Sequence, residues 1–311
     1  MMSAMSMMSA MSTTRKMTAY ASSLLLAAAF LTFAEAAHAA VSVSVTDDAG
    51  RAVTLNRPAH RIVSLAPHTT EMLFAAGAGT QIVGVTEFSD FPPEAKRIAS
   101  VGNGVTLDLE RILALKPDLV VGWNNGNAAA QLAKLEALGI TVYKSEPYDF
   151  AAIAASIEKL ARLSGTDAIG QAAADHFRQR LKSLQNSYQQ RRNVRVFYQI
   201  WRTPLMTLNG THMVSSALRV CGAENVFSGL KQIAPTVSIE AVIKADPEAI
   251  IASGGEQDDV LAGWKRFSGM TAVKRANLIL IDGELLNRSG PRILDGTEAL
   301  CKRLDAVRVK R

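Results

Sequence analysis

The hydrophobic positions of the chain follow two rhythms. From Val41 the residues alternate as VSVSVT, turn at DDAG and alternate again as RAVTL, which predicts a β-hairpin. Residues 61–65 form a short apolar run that predicts a strand stopped by Pro67. Thr69-Thr70-Glu71 then open a helix running to about Ala76 and closed by Gly77. Further strands are predicted at 82–85, 119–121 and 140–143, with helices at 109–115 and 128–138. Strand and helix alternate through short connections, so the sheet is expected to be parallel and the class α/β. From about Asp149 to Arg192 no strand pattern occurs. AAIAASIEKLARLSG is helical, and Ile169, Ala173, Phe177, Leu181, Leu184 and Tyr188 continue at helical spacing. At ~1.5 Å per residue, ~25 residues reach ~37 Å, the length of a domain. A strand returns at 194–199 and the alternation runs on to the C-terminus. The expected architecture is two Rossmann-like α/β lobes, 40–165 and 194–311, joined by one long backbone helix over 166–193.

An internal repeat supports two lobes. LDLERILALKPDLVV (107–121) and VSIEAVIKADPEAII (237–251) align without a gap at an offset of 130. Asp108 and Ser238 match as helix N-caps, and Glu110 and Glu240 match in the first helical turn, where the helix dipole favours a carboxylate. A looser match sets LFAAGAG beside LRVCGAE. Two unpaired acids in equivalent places, one per lobe, suit two cationic sites on a partner.

The N-terminus reads differently. Arg15 and Lys16 precede an apolar stretch over 19–34, and Ala37-His38-Ala39 follows as a small-x-small site. This is the pattern of a secretory leader over 1–39, cut near Ala39, with Met11 or Met17 as alternative starts. Export places Cys221 and Cys301, the only two cysteines, in an oxidising compartment. They could bridge, closing a loop worth roughly 4.5 kcal/mol, or stay as two buried thiols. Composition is ordinary, with 48% hydrophobic and 20% charged residues, which excludes extensive disorder. The net charge of +6 is modest and scattered apart from a basic C-terminal tail, so a nucleic-acid partner is not expected.

No GxSxG, HExxH, Walker A or complete GxGxxG motif occurs, and His60, His68, His176 and His212 lack ligand spacing for a metal. No catalytic residues, bound metal or cofactor are expected. An exported two-lobed chain of this kind suggests a binding protein with an interlobe cleft. The competing reading is an exported hydrolase using that cleft, with Ser64, Thr69 and Ser253 as strand-end hydroxyls. Aromatics favour the first reading. Phe88 and Phe91, Trp123, and Trp201 follow predicted strands, and ligands of open parallel sheets sit beyond the carboxyl ends of strands. Three such clusters suit a large, flat, apolar ligand.

RIVSLAPHTTEMLFAAGAG, FSDFPPEAKRI, LDLERILALKPDLVVGW, CGAENVF and VSIEAVIKADPEAII resemble periplasmic binding proteins of the cobalamin and iron-siderophore uptake class. The resemblance covers about 60–305. It implies a monomer that holds a corrinoid, or else a haem or ferric siderophore, between its lobes and hands it to an ABC transporter permease, without catalysis. It implies permease docking through Glu110 and Glu240, and a disulfide between Cys221 and Cys301. The implied ligand contacts are Phe88 (where cobalamin binders of the class carry Tyr), Trp123, Trp201, Glu284 and Arg288, with Pro67 and His68 beside them. His68 could also reach a cobalt or iron centre. Near Gly104 and Ala234, where the class carries cleft tryptophans, this chain has none.

Overall fold

The computed structural model describes residues 42–254 and 260–310. The leader expected over 1–39, its cleavage near Ala39 and Arg311 lie outside the described residues. The first element is an antiparallel hairpin, β1 (Val43–Thr46) with β2 (Ala52–Leu55). The chain continues as β3 (Ile62–Ser64), α1 (Pro67–Ala75), β4 (Ile82–Val85), α2 (Leu109–Ala114), β5 (Leu119–Trp123), α3 (Ala129–Ala137) and β6 (Val142–Ser145). Two helices follow, α4 (Phe150–Ser164) and α5 (Asp167–Tyr188). Then come β7 (Val194–Gln199), α6 (Met213–Val220), β8 (Ala223–Asn225), α7 (Ile239–Ala245), β9 (Ala249–Ser253), α8 (Thr271–Lys274), β10 (Leu278–Ile281), α9 (Gly283–Leu286) and α10 (Ile293–Val309).

Both sheets are four-stranded and parallel. The first runs β4-β3-β5-β6 and the second, read from its other edge, β8-β7-β9-β10. In each, the second strand in sequence flanks the first, and the third and fourth extend the other side. The two lobes therefore share one topology, as the repeat predicts. The correspondence reaches single residues. Asp108 caps α2 by accepting from the Arg111 amide, and Ser238 caps α7 from the Ala241 amide. Lys116 and Asp246, each just before the repeat's proline, both hold positive φ, at 47° and 39°. Asp118 accepts from the His60 and Arg61 amides, while Glu248 accepts from the Arg195 amide. Each acid thus ties the start of the third strand of its lobe to the start of the first.

The strands alternate between two apolar layers, as period two requires. Ile62, Leu119, Val121, Tyr143, Val194, Val196, Tyr198 and Ile251 point into one continuous core shared with α4, α5, α6 and α10. Val63, Val120 and Val142 point outward under α2 and α3, and Phe197 and Ile250 pack with Trp264 under α7. The 22-residue α5, ~33 Å long, runs beside that shared core. Its Arg180 pairs with Asp295 at 2.6 Å and Glu298 at 3.1 Å on α10. Cys221 and Cys301 form a disulfide joining the end of α6 to α10.

Local boundaries differ from the pattern reading in physically simple ways. Pro67 opens α1 at its first position, where its missing amide N–H costs no hydrogen bond and its fixed φ suits the helix. The strand at 119–121 extends to Trp123, because Gly122 and Trp123 pair with Lys144 and Ser145 of β6. Trp264 lies in a 3₁₀ turn (Ala262–Trp264), buried, with its Nε1–H donating to Gln199 Oε1 at 2.7 Å.

Candidate ligand-binding cleft

The carboxyl ends of the two sheets carry the aromatic residues. Phe88 follows β4, holds a positive φ of 63° and is 74% exposed. A left-handed non-glycine residue is uncommon, and here it turns a large apolar ring outward. Trp123 ends β5 at 40% exposure, and Trp201 follows β7 at 62%. The Trp201 indole N–H donates to the Thr203 carbonyl at 3.0 Å, which orients the ring. Trp123 is held from beneath: its amide donates to Asn127 Oδ1 at 2.7 Å, and a Cβ at Gly126 would lie 1.9 Å from its ring. Only glycine allows the loop that close to the indole.

Pro67 and His68 form the first turn of α1. The His68 ring meets Trp123 edge-on at 5.4 Å between centroids. His68 is buried, and its Nε2 has no hydrogen-bond partner among the described residues. Burial pushes its pKa down to about 4, Asp48 opposes this, and Arg288 adds to it. The imidazole is therefore neutral at physiological pH.

Arg288 and Arg292 cross from the second lobe to the first. Arg292 grips the buried Glu71 of α1 through Nη2–H to Oε1 at 2.6 Å and Nε–H to Oε2 at 3.0 Å. Its guanidinium also lies 4.1 Å from the centroid of the Phe91 ring. Arg288 donates to Asp90 at 3.0 Å and reaches Glu71 at 3.5 Å, and it pairs with Glu284 one helical turn earlier. Burial raises the Asp90 carboxyl, but the bond and charge of Arg288, its own backbone amide and the charge of Arg292 together outweigh that and hold it below its usual range. The connecting loop can lie on α1 because Gly290 has no side chain; a Cβ there would sit 3.3 Å from Glu71 Oε2. Sequence reasoning missed Glu71, Asp90 and Arg292. The one available signal was a charged Glu71 amid the apolar face of α1, between Thr70 and Met72.

Glu284 and Arg288 are thus already engaged with each other, while Phe88, Trp123 and Trp201 are exposed. A recess of about 410 Å³ opens at the ends of β7 and β9, lined by Trp201, Arg202 and Ser253. A larger one, about 850 Å³, runs along the outer edge of β10 and α10 but contains no aromatic residue. The aromatic strand ends make the first the better ligand site. The strand-end hydroxyls are committed elsewhere: Ser64 bonds the Thr69 and Thr70 hydroxyls at 2.7 and 2.8 Å, and Ser253 accepts from Asn287 at 2.9 Å. No imidazole among the described residues bonds any of them.

Glu110 and Glu240 are both exposed in the first turns of α2 and α7. Glu110 has no partner among the described residues. Glu240 differs from the expectation: its own amide and the Ser238 hydroxyl hydrogen-bond its carboxylate and hold its pKa below the usual value.

Known proteins resemble most of the chain. The model of a family described as periplasmic binding protein matches residues 62–285. A vitamin B12-binding protein of Vibrio cholerae is 40% identical over 247 residues, covering 78% of this chain and 88% of the relative. A crystal structure of a periplasmic vitamin B12 binding protein of Vibrio cholerae superposes with a TM-score of 0.73 at 39% identity, covering 81% of this chain and 98% of that one. A periplasmic heme binding protein from Pseudomonas aeruginosa superposes at 0.66 with 27% identity, over 78% of this chain and 91% of that one.

Proposed function

This chain belongs to the periplasmic binding protein family, and we propose that it captures a corrinoid, cobalamin or a relative, between its lobes and delivers it to an ABC import permease. Capture involves no bond making or breaking in the ligand. The observation that carries the reading is the set of three exposed aromatic rings at strand ends, Phe88, Trp123 and Trp201. A corrin macrocycle is broad and apolar across its faces, and burying it against those rings supplies most of the affinity in a largely preformed cleft. Glu284 and Arg288 supply polar groups for the amides at its rim. Pro67 and the neutral, buried His68 shape the floor in the first turn of α1, with His68 packed edge-on against Trp123.

Delivery uses the repeat. Glu110 and Glu240 occupy matching helical turns of two lobes with one topology, so they meet matching cationic sites on a two-fold permease. The protein acts as a monomer in the periplasm after cleavage near Ala39. The resemblance to B12-binding relatives at 40% and 39% identity supports the corrinoid. The same cleft holding haem is the second reading, supported by the likeness to the Pseudomonas protein.

Mass spectrometry of the small molecules that co-purify with the protein from a periplasmic extract tests the ligand. A corrinoid mass is expected. Haem or a ferric siderophore in its place would keep the class and replace the cargo.

A further inference from the structure

Next to the recess that holds Trp201 lies a second, smaller cavity of about 200 Å³. Gln199, Arg202, Thr203 and Val260 border both, so the two are immediate neighbours. Arg202 and Arg266 both line the smaller cavity, and among the described residues no acidic one does. Neither arginine has an ion pair or hydrogen bond among the described residues, and Arg266 stacks on Phe267 at 4.7 Å from the ring centroid. The neighbouring polar group is already used: Gln199 accepts from Trp264 Nε1–H and donates to the Val260 carbonyl. Two exposed arginines therefore border a small compartment with no protein partner for their donors among the described residues.

The compartment is far below the several hundred Å³ that enclose a whole drug-sized ligand. It suits an appendage of a ligand whose body lies in the recess next door. Two arginines select for the appendage's charge, because guanidinium donors match phosphate oxygens and form the stronger, charge-assisted kind of bond. The rim amides of a corrin ring are neutral. The single anion of a complete cobalamin is the phosphodiester in its nucleotide tail, and that tail ends in a flat aromatic base.

We propose that this cavity is a subsite for the phosphodiester of the ligand's nucleotide tail, held by Arg202 and Arg266. It makes the protein prefer corrinoids that carry the tail over those that lack it. This rests on the corrinoid reading above and adds to it the part of the ligand that is discriminated.

Calorimetric titration of the whole protein with cyanocobalamin and with dicyanocobinamide, which lacks the tail, tests it. The unmodified protein is expected to bind cyanocobalamin more tightly. Arg266→Gln, which does not border the larger recess, is expected to weaken cyanocobalamin about 10-fold and leave dicyanocobinamide within about two-fold, the size of one lost charge-assisted bond. Arg202→Gln is expected to act in the same direction, with Arg202→Lys recovering part of the loss. Equal affinity of the unmodified protein for the two corrinoids, or equal weakening of both by Arg266→Gln, overturns the subsite alone. An unmodified protein that binds neither corrinoid overturns the corrinoid reading and the subsite with it.

Discussion

Glu71 of the first lobe and Arg292 of the second, 221 positions apart, meet through two parallel hydrogen bonds of 2.6 and 3.0 Å. The carboxylate is buried and the guanidinium mostly so. With Arg288 and Asp90 alongside, this pair fixes how the two carboxyl-end faces oppose each other. Removing Glu71 leaves Arg292 without its partner in a poorly solvated site, and breaking such a pair typically costs 3–5 kcal/mol. Glu71→Ala is expected to lower the unfolding free energy by about 3 kcal/mol in urea titration. A loss under about 0.5 kcal/mol would show that the pair does not hold the lobes.

His68 makes stability depend on pH. Its folded pKa, about 4, lies below the ordinary histidine value, so the unfolded chain binds its proton first. Its contribution is fully present above about pH 6.5 and is lost as pH falls toward 4. The difference in melting temperature between the wild type and His68→Phe is expected to shrink or reverse over that range. A constant difference would mean the imidazole is not buried in its neutral form.

Reversing both acids proposed to dock, Glu110→Lys with Glu240→Lys, is expected to abolish uptake in cells or vesicles carrying the permease. Ligand affinity of the purified protein should stay within about two-fold, since neither residue lies at the strand ends that carry the cleft aromatics. Lost affinity with intact folding would place these acids at the ligand instead.

The disulfide closes a long loop between the end of α6 and α10. Replacing both cysteines with Ala is expected to remove about 4.5 kcal/mol by the chain-entropy argument. The check is the denaturant midpoint of the variant beside that of the oxidised wild type. An unchanged midpoint would mean that packing, not the bridge, holds α10.

The strands and helices were legible because their signal is local. Alternation placed β4 at 82–85 and β7 at 194–199, and helical spacing ran through α5. The repeat was legible as well, down to the paired caps Asp108 and Ser238, because each unit folds on its own short-range pattern. What escaped is long-range. Nothing near Glu71 or Arg292 marks them as partners, since a side chain's partner across a cleft leaves no periodic trace. Arg288 shows the same limit: the resemblance implies a ligand contact, while Glu71, Asp90 and Glu284 surround it in the structure. The cis Phe91–Pro92 bond and the left-handed Phe88, which shape the FSDFPP loop, are likewise set by surroundings that a linear pattern does not contain.

Tryptophan fluorescence titrated with cyanocobalamin tests the central claim most directly. Saturable quenching at one ligand per chain is expected, with about a 10-fold weaker midpoint in Trp123→Ala, the size of one lost ring stack, and a similar loss in Trp201→Ala. No saturable response to cyanocobalamin, alongside tight binding of haem or a ferric siderophore, would contradict it.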